Sequence, residues 1–205
     1  MGSSKAATHR LQEVCSVQAG FFTAKQAQNA GFSASSHTYH VLVEHWVREY
    51  RGIYRLTAFP EVLRPELPRW HLWAFDRAGR AQGVYSHSTA LGLYLFPRKR
   101  TPVLHMTVPT GFRRSSETPE GLELHFADLP ETDISAGEGY RLTTPLRTFL
   151  DLAGSGTMAR AALSQALLRM VEQGLIQRSQ IRTAKIPEES RLQLEALLLA
   201  GEKKR

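Results

Sequence analysis

The stretch from Thr23 to Leu56 constrains this chain more than any other, because it spells two helices separated by a glycine turn and followed at once by a hairpin. Thr23 has Gln26 three residues on, the spacing at which a cap and the third helical residue satisfy each other's orphan backbone groups. A short helix is expected over 24–30, closing at Gly31-Phe32. Ser33 then starts a third helix reaching about Arg48. On it Tyr39, Leu42, Val43 and Trp46 recur at i, i+3, i+4 and i+7, an apolar face for a core. An earlier helix, Thr8 to Val17, contributes Leu11, Val14 and Cys15 and ends at Gly20. Val47 to Leu56 reads as two short strands around Arg51-Gly52. Short helix, turn, longer helix is the helix-turn-helix pattern, and a basic hairpin directly behind it is a wing.

The opposite face of the third helix carries Ser36, His37, His40 and Glu44, with Ser35 at its leading end. Side chains that are small or polar and almost free of acid suit a helix entering a major groove, where base edges need donors and phosphates repel carboxylates. Taken alone, this face is equally well the solvated side of a core helix. The hairpin decides for DNA. Ser35, Ser36, His37 and His40 are therefore the expected base contacts, and Lys25, Arg48, Arg51 and Arg55 the expected phosphate contacts.

Of 205 residues, 42% are hydrophobic and 22% charged, ordinary for a soluble globular protein. No apolar run approaches the roughly 18 residues that a membrane helix needs. Met1-Gly2-Ser3-Ser4-Lys5 lacks the apolar stretch of a secretory signal, and a single cysteine excludes an intramolecular disulfide, so a cytoplasmic protein is expected. Cys15, inside a helical pattern, reads as a buried thiol. The net charge of +7 points to a polyanionic partner. Its distribution is polarised: nine basic against two acidic residues over 64–114, then two against eight over 115–156. Attraction between two such faces of one molecule would produce the same distribution.

Residues 1–57 are thus expected as a winged helix-turn-helix domain, 58–68 as a proline-rich linker and 69–205 as a second domain. In the latter, Trp70 to Phe75 and His87 to Leu95 read as helices, the second capped by Ser86. Val103–Val108 and Leu122–Phe126 alternate as half-buried strands, with Gly83–Tyr85 and Tyr140–Thr143 as further candidates. Thr143-Thr144-Pro145 starts a helix that runs to Ala153 before Gly154, with Arg147 and Asp151 spaced for an intrahelical ion pair. Helices over about 157–173 and 189–200 follow, then a charged tail. The fold class is α+β, a winged helix-turn-helix joined to a mixed α/β domain with a small sheet.

Little in the chain suggests chemistry. Ser86-His87-Ser88 lacks the glycine elbow of a nucleophilic serine. His37 and His40 share a helix face but have no third ligand nearby in sequence, and no phosphate loop, dinucleotide fingerprint or HExxH motif is present. No catalytic residue, cofactor or metal is expected, and the acidic run from Glu117 to Asp133 reads as solvating. Arg98-Lys99-Arg100 and Arg113-Arg114 bracket the strand at 103–108 and form a secondary basic patch only if the second loop folds back.

The run "FFTAKQAQNAGFSASSHTYHVLVEHWVREYRGIYRL" resembles the N-terminal winged-helix domain of AbiEi-like antitoxins of type IV toxin–antitoxin (abortive infection) systems. The matching positions are Thr23, Gly31-Phe32-Ser33 and Arg51-Gly52-Ile53-Tyr54-Arg55-Leu56. "VYSHSTALGLY", "VLHMTVP" and "RLTTPLRTFLDLA" resemble later landmarks of that family, in order, so the likeness spans about residues 20–185. Some proteins with related N-terminal halves carry a C-terminal nuclease domain, and this sequence, ending at Arg205, has no Asp…Glu-x-Lys array for one. The resemblance implies an antitoxin that represses its own promoter and counteracts a cognate nucleotidyltransferase toxin, without an obligatory stable complex; the lack of a long apolar run, in turn, speaks against a membrane partner. A lone winged unit makes few contacts, so two copies on an inverted repeat of double-stranded DNA are expected. The alternatives are a stand-alone transcriptional regulator with a C-terminal sensing or partner-binding domain and, more remotely, a nucleic-acid enzyme.

Overall fold

The structure, a computed structural model, describes residues 5–202; Met1 to Ser4 and the basic end Lys203 to Arg205 lie outside it. The α+β class is as expected, with small mixed sheets beside a larger share of helix. Among the described residues no helix is long and apolar enough to cross a membrane. The chain divides into two compact units. One is built on the chain up to Val84 and takes in Val108–Ser115 and Ala136–Arg141; the other comprises Tyr85–Thr107, Ser116–Ser135 and Leu142 onward.

The first unit opens with α1 (Lys5–Ser16), which buries Ala7, Leu11 and Cys15 on one side. Burial pushes the Cys15 thiol up to about 12, so it is an inert core group. β1 (Phe21–Thr23) leads into α2 (Ala24–Ala30), whose start is the expected capping box. The Gln26 N–H donates to Thr23 Oγ1 at 3.2 Å, and the Thr23 N–H donates to Gln26 Oε1 at 2.8 Å. Gly31, at φ 108°, closes the helix in the left-handed region that favours glycine. Then come α3 (Ser36–Leu42), β2 (Trp46–Tyr50) and β3 (Ile53–Leu56). The strands form an antiparallel sheet in the order β1-β3-β2, and Gly52, at φ 73°, turns the β2–β3 hairpin. Three helices, a hairpin after the third and a short strand between the first two pairing with that hairpin make a winged helix-turn-helix. Its core gathers Leu11, Cys15, Phe22, Ala27, Phe32 and Trp46.

The expected linker belongs to this same unit. α4 (Glu66–Trp73) packs on β1 and β3, and two contacts explain why residues 58–73 do not separate from the wing. Arg69 Nη2 lies 2.5 Å from Glu49 Oε2, and Tyr50 meets Trp70 edge-on with ring centroids 5.0 Å apart. His71, buried in α4, donates from Nδ1 to the Gly83 carbonyl at 3.1 Å; burial lowers its pKa to about 4.

The remaining strands are β4 (Val84–Tyr85), β5 (Leu104–Val108), β6 (Leu122–Phe126), β7 (Ile134–Ala136) and β8 (Arg141–Thr143), in the order β6-β5-β4-β8-β7. Tyr85 pairs in parallel with Leu142. α5 (His87–Leu95) follows β4 directly, as expected, but the Ser86 hydroxyl does not cap it. α6 (Pro145–Ser155) is capped by Thr144 and has proline in its first turn; it runs through Gly154 and closes at Gly156 (φ 61°). Gly154 is tolerated because a helical glycine costs only about 1 kcal/mol. α7 (Arg160–Glu172), α8 (Arg178–Thr183) and α9 (Glu188–Glu202) complete the second unit, whose core includes Leu91, Phe149, Leu152, Leu167, Met170 and Leu197. Arg147 makes the expected ion pair with Asp151 at 2.8 Å and a second with Asp133 at 3.0 Å.

Candidate nucleic-acid interface

The turn into the third helix begins at Gly31 and Phe32, the latter 5% exposed and seated against Trp46 at 5.1 Å. That anchor fixes which side of α3 faces inward, and it is not the side the apolar spacing suggested. His37 and His40 are 5% and 9% exposed, whereas Tyr39 and Leu42 are 57% and 79% exposed. The helix also ends at Leu42, because Glu44 takes φ 57° and the chain leaves it as a strand. Trp46 therefore belongs to the wing, and the i+7 match that extended the helix to Arg48 spans a turn.

Both histidines lie in an aromatic cluster. His40 stacks on Trp46 with centroids 4.6 Å apart and 18° between planes. His37 sits 5.3 Å from Trp46 and 5.7 Å from Tyr54. Burial holds the pKa of each below the ordinary histidine range, and for His40 the neighbouring His45 and His37 add to the effect. Burial thus favours the neutral form of both, which makes them poor sources of positive charge for a phosphate. Among the described residues His37 Nε2 and His40 Nδ1 are buried without a hydrogen-bond partner. This arrangement corrects their assignment as base-reading side chains: imidazole, polar by composition, serves here as a flat ring in the core.

What α3 presents outward is Ala34, Ser35, Thr38, Tyr39 and Leu42, with Ser36 half-exposed. Ser36 Oγ donates to the Ser33 carbonyl at 2.8 Å, and the Ser35 hydroxyl lies 3.1 Å from that of Ser33. The face contains no carboxylate from Ser33 to Val43. Two of the expected base contacts, Ser35 and Ser36, are thus accessible on the helix; Thr38 and Tyr39 join them. Exposure of a tyrosine at i+4 from Ser35 is what sequence could have offered, had its ring not been counted as core.

The expected phosphate contacts also divide. Arg48 and Arg51 are exposed on the hairpin, and among the described residues neither has an ion-pair partner. Arg55 is different. Its Nε lies 2.9 Å from Glu49 Oε1, its side chain is 14% exposed, and Glu49 is shared with Arg69. Lys25 is exposed on α2, and its Nζ donates to the Arg77 carbonyl. Arg113 and Arg114 lie in the first unit, where Arg114 stands over the Trp73 ring at 5.4 Å and donates to the Phe75 carbonyl. Arg98, Lys99 and Arg100 are exposed in the second unit.

A second group of side chains escaped the sequence reading. On neighbouring strands of the second unit, His105 of β5 meets Glu123 and His125 of β6. His105 Nδ1 is 3.0 Å from His125 Nε2, and His87 stacks on His125 with centroids 3.7 Å apart. Glu123 and His125 stand two residues apart, hence on one face of a strand, which was the available signal.

No protein-family model matches this sequence, and neither does any curated protein. Among solved structures, the chain is similar to the RV2827C protein from Mycobacterium tuberculosis, at 12% identity and a TM-score of 0.53, over 98% of this chain and 78% of that one. At that identity the likeness is one of fold.

Proposed function

We propose that the first unit binds double-stranded DNA, with α3 in the major groove and the β2–β3 wing on the backbone. The chain is then the antitoxin of a type IV toxin–antitoxin system that represses its own promoter at inverted repeats. The observation that carries the DNA reading is the outer side of α3, hydroxyl-bearing and free of carboxylates, followed within ten residues by two exposed wing arginines, Arg48 and Arg51, that have no ion-pair partner among the described residues. Ser35, Ser36, Thr38 and Tyr39 read base edges in this account, and Arg48, Arg51 and Lys25 hold phosphates. The antitoxin reading rests on the resemblance of Thr23, Gly31-Phe32-Ser33, Arg51–Leu56 and Arg141–Ala153 to AbiEi-like proteins.

The experiment is a gel shift of the DNA upstream of the protein's own gene with the full chain. Specific retention is expected, with Thr38→Ala and Tyr39→Ala lowering the preference for that DNA over a scrambled duplex by about 1–3 kcal/mol per lost base contact. Equal affinity for both duplexes in the parent protein would end the repressor reading. Co-expression with a neighbouring nucleotidyltransferase gene tests the antitoxin reading, and restored growth is the expected result. A regulator with a sensing C-terminal part is the second reading, favoured by the histidine group around His105; it requires DNA binding without any such protection.

A further inference from the structure

We propose that His105, His125 and Glu123 form a binding site for a divalent first-row transition metal ion, zinc foremost, with three protein ligands and an open fourth position. The site belongs to the second unit and is independent of the DNA reading.

The geometry is nearly that of a zinc centre already. Two nitrogens bound to one tetrahedral zinc at about 2.0–2.1 Å stand roughly 3.3 Å apart. His105 Nδ1 and His125 Nε2 stand 3.0 Å apart. Glu123 Oε2 is 3.7 Å from the first and Oε1 is 4.0 Å from the second, so a small side-chain turn brings the carboxylate to the shared point. One ligand atom from each residue falls within 4.8 Å of the others. Two imidazoles and one carboxylate are borderline donors that suit zinc, iron, nickel or copper and disfavour magnesium and calcium, which take oxygen. Glu123 is 57% exposed and the histidines about a fifth to a quarter, which leaves a solvent approach for the fourth ligand.

The surroundings hold the ligands in place. His87 lies flat on His125, 18° from parallel. Its own ring is tethered: Nδ1 is 2.9 Å from Ser86 Oγ, which accepts from Thr107 Oγ1 at 2.7 Å, and all three residues are buried. This is where the Ser86 hydroxyl goes instead of capping α5. His87 adopts φ 51°, a left-handed backbone that costs a non-glycine residue of order 1 kcal/mol and persists only where the surroundings fix it. The expense holds the imidazole against the ligand ring, a positioning role of the kind metal sites use to fix ligand orientation.

The test uses the full chain, stripped with a chelator and titrated with cobalt(II) followed by visible absorption. One equivalent is expected to bind with the d–d bands of a low-coordinate site, to be displaced by zinc(II) and to resist magnesium(II). His125→Gln and Glu123→Gln should each weaken binding at least about tenfold, since even residues that only orient ligands are worth that much. His9→Gln, at an exposed position on α1, should change nothing. Glu123 is surface-exposed, so its variant keeps the fold, and far-ultraviolet circular dichroism verifies this for both. Binding unaltered in Glu123→Gln and His125→Gln, no saturable cobalt binding, or displacement by magnesium would each overturn the assignment.

Discussion

The division of the wing arginines leads to a quantitative expectation about salt. Each phosphate neutralised by a protein cation steepens the fall of log affinity with log salt by about 0.9. Arg48 and Arg51 are exposed and without an ion-pair partner among the described residues, so each removal should shallow the slope by that amount, and the double variant Arg48→Ala/Arg51→Ala by about 1.8. Raising salt fourfold then costs the parent about 3.5-fold more affinity than either single variant, and about 12-fold more than the double. Arg55 sits on the same hairpin, but its guanidinium is held at 2.9 Å by Glu49 and largely covered. Arg55→Ala should leave the slope within about 0.3 of the parent. It should instead cost on the order of 2 kcal/mol of stability by removing a charged hydrogen bond from a nearly buried carboxylate. The assay is fluorescence anisotropy of a labelled promoter duplex at four or more salt concentrations, with urea unfolding in parallel. A slope change in Arg55→Ala equal to that in Arg51→Ala would refute the division, and unchanged slopes throughout would refute the wing.

Three further outcomes follow from the same geometry. His40→Phe keeps a ring on Trp46 and removes a buried nitrogen without a partner, so stability should hold or rise by about 1 kcal/mol with DNA preference intact; lost preference would return His40 to the bases. For His71, burial favours the neutral form, so its contribution is full above about pH 6.5 and is lost as pH falls from 6.5 through about 4. Over that window the parent should lose about 3 kcal/mol more than His71→Asn in urea titrations, and parallel pH profiles would contradict this. Gly20→Ala should destabilise by more than about 1 kcal/mol, because Gly20 has φ 84° and an added Cβ would meet Phe59 Cβ at 2.6 Å; an unchanged unfolding midpoint would count against that packing.

Features made by neighbours in sequence were legible. The α2 cap from Thr23 and Gln26, the stop at Gly31 and the proline start of α6 are local chemistry, and each stands where the residues place it. So do α5 and β6, whose boundaries follow from a helical run and a strict alternation. What failed needed partners far along the chain. β1 is three residues long and exists only because β3 pairs with it. The face of α3 was inverted because hydropathy ranks tyrosine and leucine inside and histidine outside, whereas a tryptophan from the wing offers imidazole a stacking surface. The His105 group was hidden for a related reason: His105 and His125 stand 20 positions apart, and only the pairing of β5 with β6 brings them together.

Glu49 has a final consequence. By gripping Arg55 of its own hairpin with one oxygen and Arg69 of α4 with the other, it turns the wing from a projecting finger into a braced bracket. A bracket has little freedom left to lose when it meets a duplex, so less of its binding energy goes into freezing the stem. A fragment cut near residue 60 would retain every arginine of the hairpin yet lose that brace, and should grip DNA more weakly for reasons unrelated to charge.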